Sequence, residues 1–375
     1  MFSTADHTYM TLALRLAEQG LYTTQPNPRV GCVIVKNNQI IGQGAHLKAG
    51  EPHAEVLALR QADADAVGAD VYVTLEPCNH YGRTPPCVDA LINAGVNRVV
   101  VAMQDPNPLV AGNGIKRLQA QGMQVDTGLM ESEAFTLNPG FISRMTYGRP
   151  YVRSKVAASL DGRTALNNGK SLWITGECAR QDVQHWRAQS CAIITGIGTV
   201  LADNPSMNVR LENVSRQPLR VIVDSHLQTP VDCKMLNAEL TQASPVIIAY
   251  ANDVNNKADS LGSTSSKTTG AEMLHLPDAY GLVDLYLLLL HLAQRGINEV
   301  LLEAGQGLNG AFVQAGLIDE FIFYYAPKLM GNDAKGMFAI PELIEMQQAV
   351  DLQILDVRQF GQDIRLRAKP IKTKT

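Results

Sequence analysis

The chain is 375 residues long, more than one hydrophobic core usually serves, so two domains are expected. Its 46% hydrophobic and 18% charged residues are the composition of a folded globular protein, not of a disordered or fibrous one. A net charge of -4 argues against general nucleic-acid binding, which needs a basic footprint, yet leaves room for a small phosphorylated substrate held by local Arg, Lys and Ser.

Apolar residues at helical spacing predict a helix over Tyr9–Gln19. Val30–Val35 and Ile40–Ala45 read as strands joined by a hairpin-type turn at Asn37-Asn38. Pro52 stands where a first helical residue would, and Ala54–Ala62 continues as a helix. Then follow a strand at Val71–Leu75, a helix at Cys87–Asn93 ended by Gly95, and a strand at Arg98–Met103. A helix at Ile115–Gln121 and a strand at Met123–Thr127 complete a helix-flanked sheet.

This first part carries His53-Ala54-Glu55, then Pro77-Cys78 and Cys87, in the order that marks zinc deaminases. His53, Cys78 and Cys87 are the candidate ligands; three protein ligands leave a tetrahedral position open for water, as catalytic zinc sites do. The metal lowers the pKa of such a water from about 15.7 towards roughly 7. Glu55 is the candidate carrier of a proton from that water to a departing amine. Both ligand-bearing helices begin at the site, and helix N-termini favour thiolate over thiol. A structural zinc would need a fourth ligand, for which His80 and Cys32 are the candidates.

Eight residues separate Cys78 from Cys87, where nucleoside and nucleic-acid deaminases usually have two. The intervening Gly82-Arg83-Thr84-Pro85-Pro86 is basic and proline-stiffened, which points to an anionic substrate. Asn27 offers an amide donor and acceptor suited to a pyrimidine edge or a ribose hydroxyl, although a plain Asn-Pro turn accounts for it on local sequence alone.

Pro139-Gly140 and Gly148-Arg149-Pro150 flank a short connecting piece, and the domain boundary is set between residues 147 and 148. Strands are then expected near Tyr151–Ala157, Ala192–Gly196, Leu219–Asp224, Val246–Ala251, Glu299–Glu303 and Glu320–Pro327, with helices at Glu177–Ala188 and Val283–Arg295. Asn252–Gly270, rich in Ser, Thr, Asn and Lys, reads as an exposed loop. Gly305-Gln306-Gly307-Leu308-Asn309-Gly310-Ala311 follows a strand and precedes a helix, a place where backbone can approach a pyrophosphate. A bare strand–helix turn explains such a loop as well, because its position outside the first βαβ unit departs from the dinucleotide fingerprint.

Of the six cysteines two belong to the zinc pattern and the other four show no disulfide-like spacing, and Met1 to His7 lacks the basic start and apolar run of a signal peptide. The apolar run Leu285–Leu292 is far short of the roughly 20 residues that span a bilayer. A cytoplasmic protein without membrane partners is expected.

Together these stretches resemble the bacterial bifunctional riboflavin-biosynthesis enzymes. In the first half the likeness is carried by Pro26-Asn27-Pro28-Arg29-Val30-Gly31, His53-Ala54-Glu55-Val56, Thr74-Leu75-Glu76-Pro77-Cys78 through Cys87, and Asp105-Pro106-Asn107-Pro108-Leu109-Val110-Ala111-Gly112. In the second it is carried by Lys155-Val156-Ala157-Ala158-Ser159-Leu160-Asp161-Gly162-Arg163, Trp173-Ile174-Thr175, Gly198-Thr199-Val200-Leu201-Ala202-Asp203-Asn204-Pro205 and Ala326-Pro327-Lys328-Leu329-Met330-Gly331. The resemblance implies an α/β protein: a cytidine-deaminase-like three-layer α/β/α domain over 1–147 and a dihydrofolate-reductase-like α/β domain over 148–375.

It also implies one zinc ion per chain, NADPH, a small pyrimidine ribotide as substrate, and a homo-oligomer. Asn27, His46, His80 and Arg83 would contact the substrate in the deaminase. In the reductase Ala157, Trp173, Thr199, Asp203 and the run Gly305 to Ala311 would contact NADP, and Ser171, Arg187, Met207, Arg210 and Glu303 the substrate. Arg187 and Arg210 suit phosphate, which guanidinium grips in bidentate fashion. Lys155 is a further candidate for protonating or orienting the sugar. The rival reading is a nucleoside or nucleic-acid zinc deaminase with an appended binding domain; the acidic charge and the long Cys78–Cys87 loop count against it.

Overall fold

The computed structural model describes residues 1–81, 85–108, 110–171, 173–212, 214–237, 244–253, 257–262 and 270–371. The chain divides into two compact units, Met1–Arg149 and Pro150–Thr375.

The first unit opens with α1 (Thr4–Glu18), fixed at its start by a capping box: Ser3 Oγ accepts from the Asp6 backbone N–H at 3.1 Å, and Asp6 accepts in return from Ser3 N–H at 2.7 Å. Strands β1 (Gly31–Lys36) and β2 (Gln39–Ala45) form a hairpin whose Asn37 and Asn38 both take left-handed backbone, φ 52° and 62°, as a two-residue turn demands. Then come α2 (Ala54–Ala62), β3 (Asp70–Val73), α3 (Cys87–Asn93), β4 (Arg98–Val101), α4 (Asn113–Ala120), β5 (Gln124–Thr127), α5 (Glu131–Leu137) and α6 (Pro139–Tyr147).

Among the described residues the sheet runs β2-β1-β3-β4-β5, antiparallel around β1 and parallel from β3 to β5. Helices α1 and α5 pack together, whereas α2, α3 and α4 form a separate succession, giving three layers. The segment expected to be a mere connector is helix α6. Pro139 occupies its first turn and Gly148 ends it in left-handed backbone, so residues that look like breakers are its two boundaries.

The second unit contains β6 (Tyr151–Ser159), β7 (Arg163–Ala165), α7 (Glu177–Gln189), β8 (Ala192–Gly196), α8 (Ile197–Asp203), β9 (Leu219–Val223), β10 (Val246–Tyr250), α9 (Ala258–Gly262) and β11 (Glu272–His275). It continues with α10 (Leu285–Gln294), β12 (Glu299–Leu302), α11 (Gln306–Gln314), β13 (Glu320–Ala326), β14 (Lys335–Gly336), β15 (Leu352–Phe360) and β16 (Asp363–Pro370). Helix α9 lies inside the stretch expected to be an exposed loop, and the remainder of that expectation falls partly on 254–256 and 263–269, outside the described residues.

Its large sheet has, among the described residues, the order β11-β10-β9-β8-β12-β6-β13-β16-β15, parallel except for β16 and β15. Period-2 alternation builds a core on each face. Ala192, Ile194, Val221 and Leu302 pack with Leu288 and Phe312 of α10 and α11, while their neighbours Ile193, Ile222 and Leu301 pack with Ala179 and Val183 of α7. Parallel strands covered on both faces read as continuous apolar runs, which is why they are legible in the sequence. The last two strands are not: β15 exposes most side chains of both faces and carries no such pattern.

Candidate functional sites

In the first unit His53 directly precedes α2 in extended backbone and makes no capping bond, which leaves its ring to other partners. His53 Nδ1 lies 3.2 Å from Cys87 Sγ and 3.6 Å from Cys78 Sγ. Cys87 opens α3, and its backbone N–H donates to Cys78 Sγ at 3.3 Å. The three ligand atoms all lie within 4.8 Å of one another. A zinc tetrahedron with bonds of about 2.0–2.3 Å has edges of roughly 3.4–3.8 Å, so one nitrogen and two sulfurs at these separations fit that metal. Neither His80, which is exposed, nor Cys32, buried in β1, belongs to the cluster.

The hydrogen bond from Cys87, joined by His53, pulls the Cys78 thiol down to about 4, while Cys87, its partner in that bond, is pushed up. Glu55, 3% exposed on the first turn of α2, is raised to about 7 by burial and by the neighbouring Cys78. The carboxylate therefore faces the donor cluster from inside the protein.

Two further expected residues meet here. Asn27 Nδ2 lies 3.1 Å from His46 Nε2, and His46 Nδ1 lies 3.3 Å from the Pro52 carbonyl oxygen. A carbonyl only accepts, so Nδ1 carries the hydrogen and Nε2 accepts from Asn27. Burial lowers the pKa of His46, in keeping with this neutral form. The His46 ring stands edge-on to that of His53, with centroids 5.1 Å apart. His80 stays at the surface near Asp105, and Arg83 lies outside the described residues.

The support beneath the cluster comes from Glu76, whose buried carboxylate accepts from four backbone N–H groups: Asp105 at 3.1 Å, Gly112 at 2.9 Å, Gly114 at 2.9 Å and Ile115 at 3.3 Å. This binds the loop after β4 and the start of α4 to the strand end that presents Cys78. Gly114 is needed for closeness alone, since a Cβ there would stand 2.3 Å from the Pro77 oxygen.

The second unit holds a cleft of about 1690 Å³, larger than the usual single-ligand pocket of roughly 300–1,000 Å³. Lys155, Ala157, Ser171, Trp173, Arg187, Thr199, Asp203, Met207, Arg210, Glu303, Gly305, Gln306, Gly307, Leu308 and Ala311, all singled out in the sequence, line it. Asn309 and Gly310 do not. Helical periodicity turns them inward: Asn309 bonds Ser154 Oγ at 3.0 Å and the Ala304 oxygen at 2.7 Å, and a Cβ on Gly310 would stand 2.1 Å from the Ala339 oxygen. A Cβ on Gly307 would meet nothing within 4 Å, so the chain there is bare towards the cleft.

At the floor Glu303 takes Arg187 on both oxygens, at 2.6 Å and 3.0 Å, and Lys155 Nζ at 3.0 Å. Burial would raise its carboxyl, but Arg187 and Lys155 hold it well below the usual carboxylate range. Arg187 is thus consumed by Glu303, the Asn208 carbonyl and Met207 sulfur, and does not stand open as a phosphate grip. Arg210, in the cleft lining and largely exposed, does; partial desolvation there and then repulsion from Arg187 lower its pKa. Met207 takes φ 51°, a strained value for a long side chain of the kind found at binding sites. Ser171 Oγ donates to Asp203 at 3.3 Å, and Trp173, 65% exposed, carries the Arg180 guanidinium 4.6 Å from its ring centre.

Ser225, Lys234, Tyr280, Tyr286 and Lys335 also line the cleft and belong to no motif. The one signal for them is the place of Ser225 directly beyond a strand, where open parallel sheets bind ligands.

Comparison with known proteins finds a family for each of the two units. Residues 3–103 match the cytidine and deoxycytidylate deaminase zinc-binding region, and residues 150–366 match the RibD C-terminal domain. The riboflavin biosynthesis protein RibD of Escherichia coli is 47% identical over 96% of this chain and 98% of that protein. That of Bacillus amyloliquefaciens is 44% identical over 96% and 95%. The structure of Acinetobacter baumannii RibD superposes with a TM-score of 0.88 at 50% identity, covering 98% of this chain and 99% of that one. A Thermotoga maritima protein, described as a diaminohydroxyphosphoribosylaminopyrimidine deaminase/5-amino-6-(5-phosphoribosylamino)uracil reductase, does so with a TM-score of 0.84 at 31% identity, covering 98% and 99%. A cytidine-deaminase-like domain followed by a reductase domain, matched along nearly its whole length, places this chain in the RibD family of bifunctional riboflavin-biosynthesis enzymes.

Proposed function

We propose that residues 1–147 form the deaminase domain and residues 148–375 the reductase domain, acting in order on one pyrimidine ribotide. The first reaction is hydrolytic deamination of 2,5-diamino-6-(ribosylamino)-4(3H)-pyrimidinone 5'-phosphate to 5-amino-6-(5-phosphoribosylamino)uracil. The second is NADPH-dependent reduction of the ribosyl side chain to give 5-amino-6-(5-phosphoribitylamino)uracil. The convergence of His53 Nδ1 and two cysteine sulfurs beside the buried Glu55 carries this reading. A nucleic-acid deaminase is not favoured, since the family match extends through both domains.

His53, Cys78 and Cys87 would hold one zinc ion per chain, which supplies a water of lowered pKa at neutral pH. Glu55 takes the proton of the attacking water and gives it to the amine leaving the ring carbon as ammonia. Asn27 and His46 orient the pyrimidine edge; His80 and Arg83 serve the phosphate side.

In the cleft Ala157, Trp173, Thr199, Asp203, the stretch Gly305 to Leu308 and Ala311 hold NADPH, the source of the hydride. Ser171, Met207, Arg210 and Glu303 hold the ribotide, with Arg210 the phosphate contact and Arg187 keeping Glu303 in place. Lys155 Nζ, steadied 3.0 Å from Glu303, would supply the proton that the sugar oxygen needs on reduction.

Incubating zinc-loaded protein with the diaminopyrimidinone ribotide and NADPH tests the order of events. NADPH oxidation is expected in the wild type and should stop with Glu55→Ala, a loss of about 10²–10⁴-fold in ammonia release with zinc retained. Wild-type ammonia release from Glu55→Ala would reject its role.

The chain is also assigned to homo-oligomers. Leu352, Ile354, Leu355 and Val357 are exposed along β15, one of the two edge strands of the large sheet among the described residues, an arrangement that pairs readily with another copy. A cytoplasmic location accords with six free cysteines. Among the described residues no helix is long and apolar enough to cross a membrane.

A further inference from the structure

We propose that Gln217, which does not itself line the reductase cleft, is the positioning residue that aims Arg210 and so sets the preference for a phosphorylated substrate. The inference rests on reading Arg210 as the phosphate contact.

Arg210 ends a strap, residues 204–210, that belongs to no helix or strand. Side chains from elsewhere hold it instead. Asn204 Oδ1 accepts from the Lys234 N–H at 2.8 Å, and the Ser206 oxygen accepts from Arg220 Nη1 at 3.2 Å. The Asn208 oxygen accepts from Arg187 Nη1 at 3.0 Å. Between these last two anchors Met207 takes φ 51°, a strained value that persists only where its surroundings over-determine it.

The last peptide of the strap is held at both ends. The Val209 oxygen accepts from Gln217 Nε2 at 3.0 Å, and the Arg210 N–H donates to Gln184 Oε1 at 3.0 Å. Gln217 Oε1 also accepts from the Val209 N–H at 2.8 Å. One side-chain amide thus takes both backbone groups of Val209, as a paired strand residue would. Its orientation is fixed, since a backbone N–H only donates and a carbonyl only accepts. The Arg210 side chain springs from this peptide, so the clasp fixes the root of the arm that carries the guanidinium.

The clasp stands on anchored chain. Pro218 follows Gln217 and biases it to extended backbone, and β9 begins at the next residue. Arg216 Nη2 donates to the Ala188 and Ser190 oxygens at 3.0 Å and 2.9 Å, tying this segment to the end of α7, the helix that carries Gln184. Arg220, fully buried, gives Nε and Nη2 to the Ser244 oxygen at 3.2 Å and 2.6 Å. A long side chain loses conformational freedom when it grips a ligand, and a fixed root lowers that cost. Loss of the clasp should therefore weaken binding without slowing the step that follows.

The test uses full-length protein at saturating NADPH, with 5-amino-6-(5-phosphoribosylamino)uracil and with the same compound lacking its phosphate. Gln217→Ala should raise KM for the ribotide about ten-fold at unchanged kcat and leave KM for the phosphate-free compound where it was. Gln217→Glu keeps the size but sets a carboxylate oxygen against the Val209 carbonyl, so it should do the same; it decides alone if Gln217→Ala does not fold. In an Arg210→Ala background Gln217→Ala should add nothing, because the two residues act as one. An unmoved ribotide KM, an equal rise for both compounds, or full addition to Arg210→Ala would overturn the clasp. If Arg210→Ala itself leaves the ribotide KM unmoved, the phosphate contact falls, and the role of Gln217 with it.

Discussion

In the first unit the three candidate ligands and Glu55 come from one stretch of chain, His53 to Cys87, and the ligand atoms meet within 4.8 Å. In the second they come from strand ends and helix starts between Lys155 and Lys335 and line a cleft of about 1690 Å³. The charge balance differs as well. Two thiols, an imidazole and a buried carboxylate gather in the first site, a set that needs a cation to hold its thiolates. Glu303 in the second is balanced from within by Arg187 and Lys155. A metal-dependent site fails when one ligand is lost; a self-balanced one fails when a buried charge loses its partner.

The sharpest way to separate the two is Cys87→Ser. Zinc content should fall from one per chain to near zero and ammonia release should vanish, because two protein ligands cannot hold the metal firmly. NADPH oxidation with the already deaminated ribotide should continue at the wild-type rate. Parallel loss of both activities would show that the sites are not independent. Metal analysis and the two separate assays decide it.

The same contrast governs what is legible from the sequence. His53, Glu55, Cys78 and Cys87 can be read because metal chemistry admits few residue types and fixes their spacing. The parallel strands β8, β9 and β12 can be read because burial on both faces makes them uniformly apolar. Tyr280 and Ser225 cannot, since a cleft wall asks only for shape at a point the chain reaches by folding. Arg187 illustrates another limit: its guanidinium suits phosphate by type, but only the fold reveals that Glu303 has already taken both its prongs. Likewise Asn309 and Gly310 lie in a plausible loop motif, and helix phase alone turns them to the core.

Glu303→Gln probes the self-balanced site. The buried Arg187 and the half-buried Lys155 lose their counter-charge, so the second unit should lose about 3–5 kcal/mol of stability and the reductase its activity. The pH dependence has a definite sign. Glu303 is held below its unfolded value of about 4.3, so its contribution is full above that pH and drains away as pH falls towards the folded pKa. Urea midpoints taken from pH 7 down to pH 3 should therefore drop more steeply in the wild type than in Glu303→Gln. Parallel slopes would mean that Glu303 is not the titrating support.

Glu76→Gln asks whether the metal cluster owes its shape to its surroundings, and its expected effect is the smallest. An amide keeps one accepting oxygen but brings an NH₂ group against N–H donors that met the second carboxylate oxygen. Either Gly114 and Ile115 or Asp105 and Gly112 then lose their acceptor, according to how the amide turns. Leaving such buried donors unmet costs about 1–3 kcal/mol, visible as a lower denaturant midpoint for the first unit. Zinc content should stay at one per chain, because His53, Cys78 and Cys87 all remain. Loss of zinc with the stability would blur the comparison: the first site would then depend, as the second does, on a buried carboxylate that holds its surroundings in place.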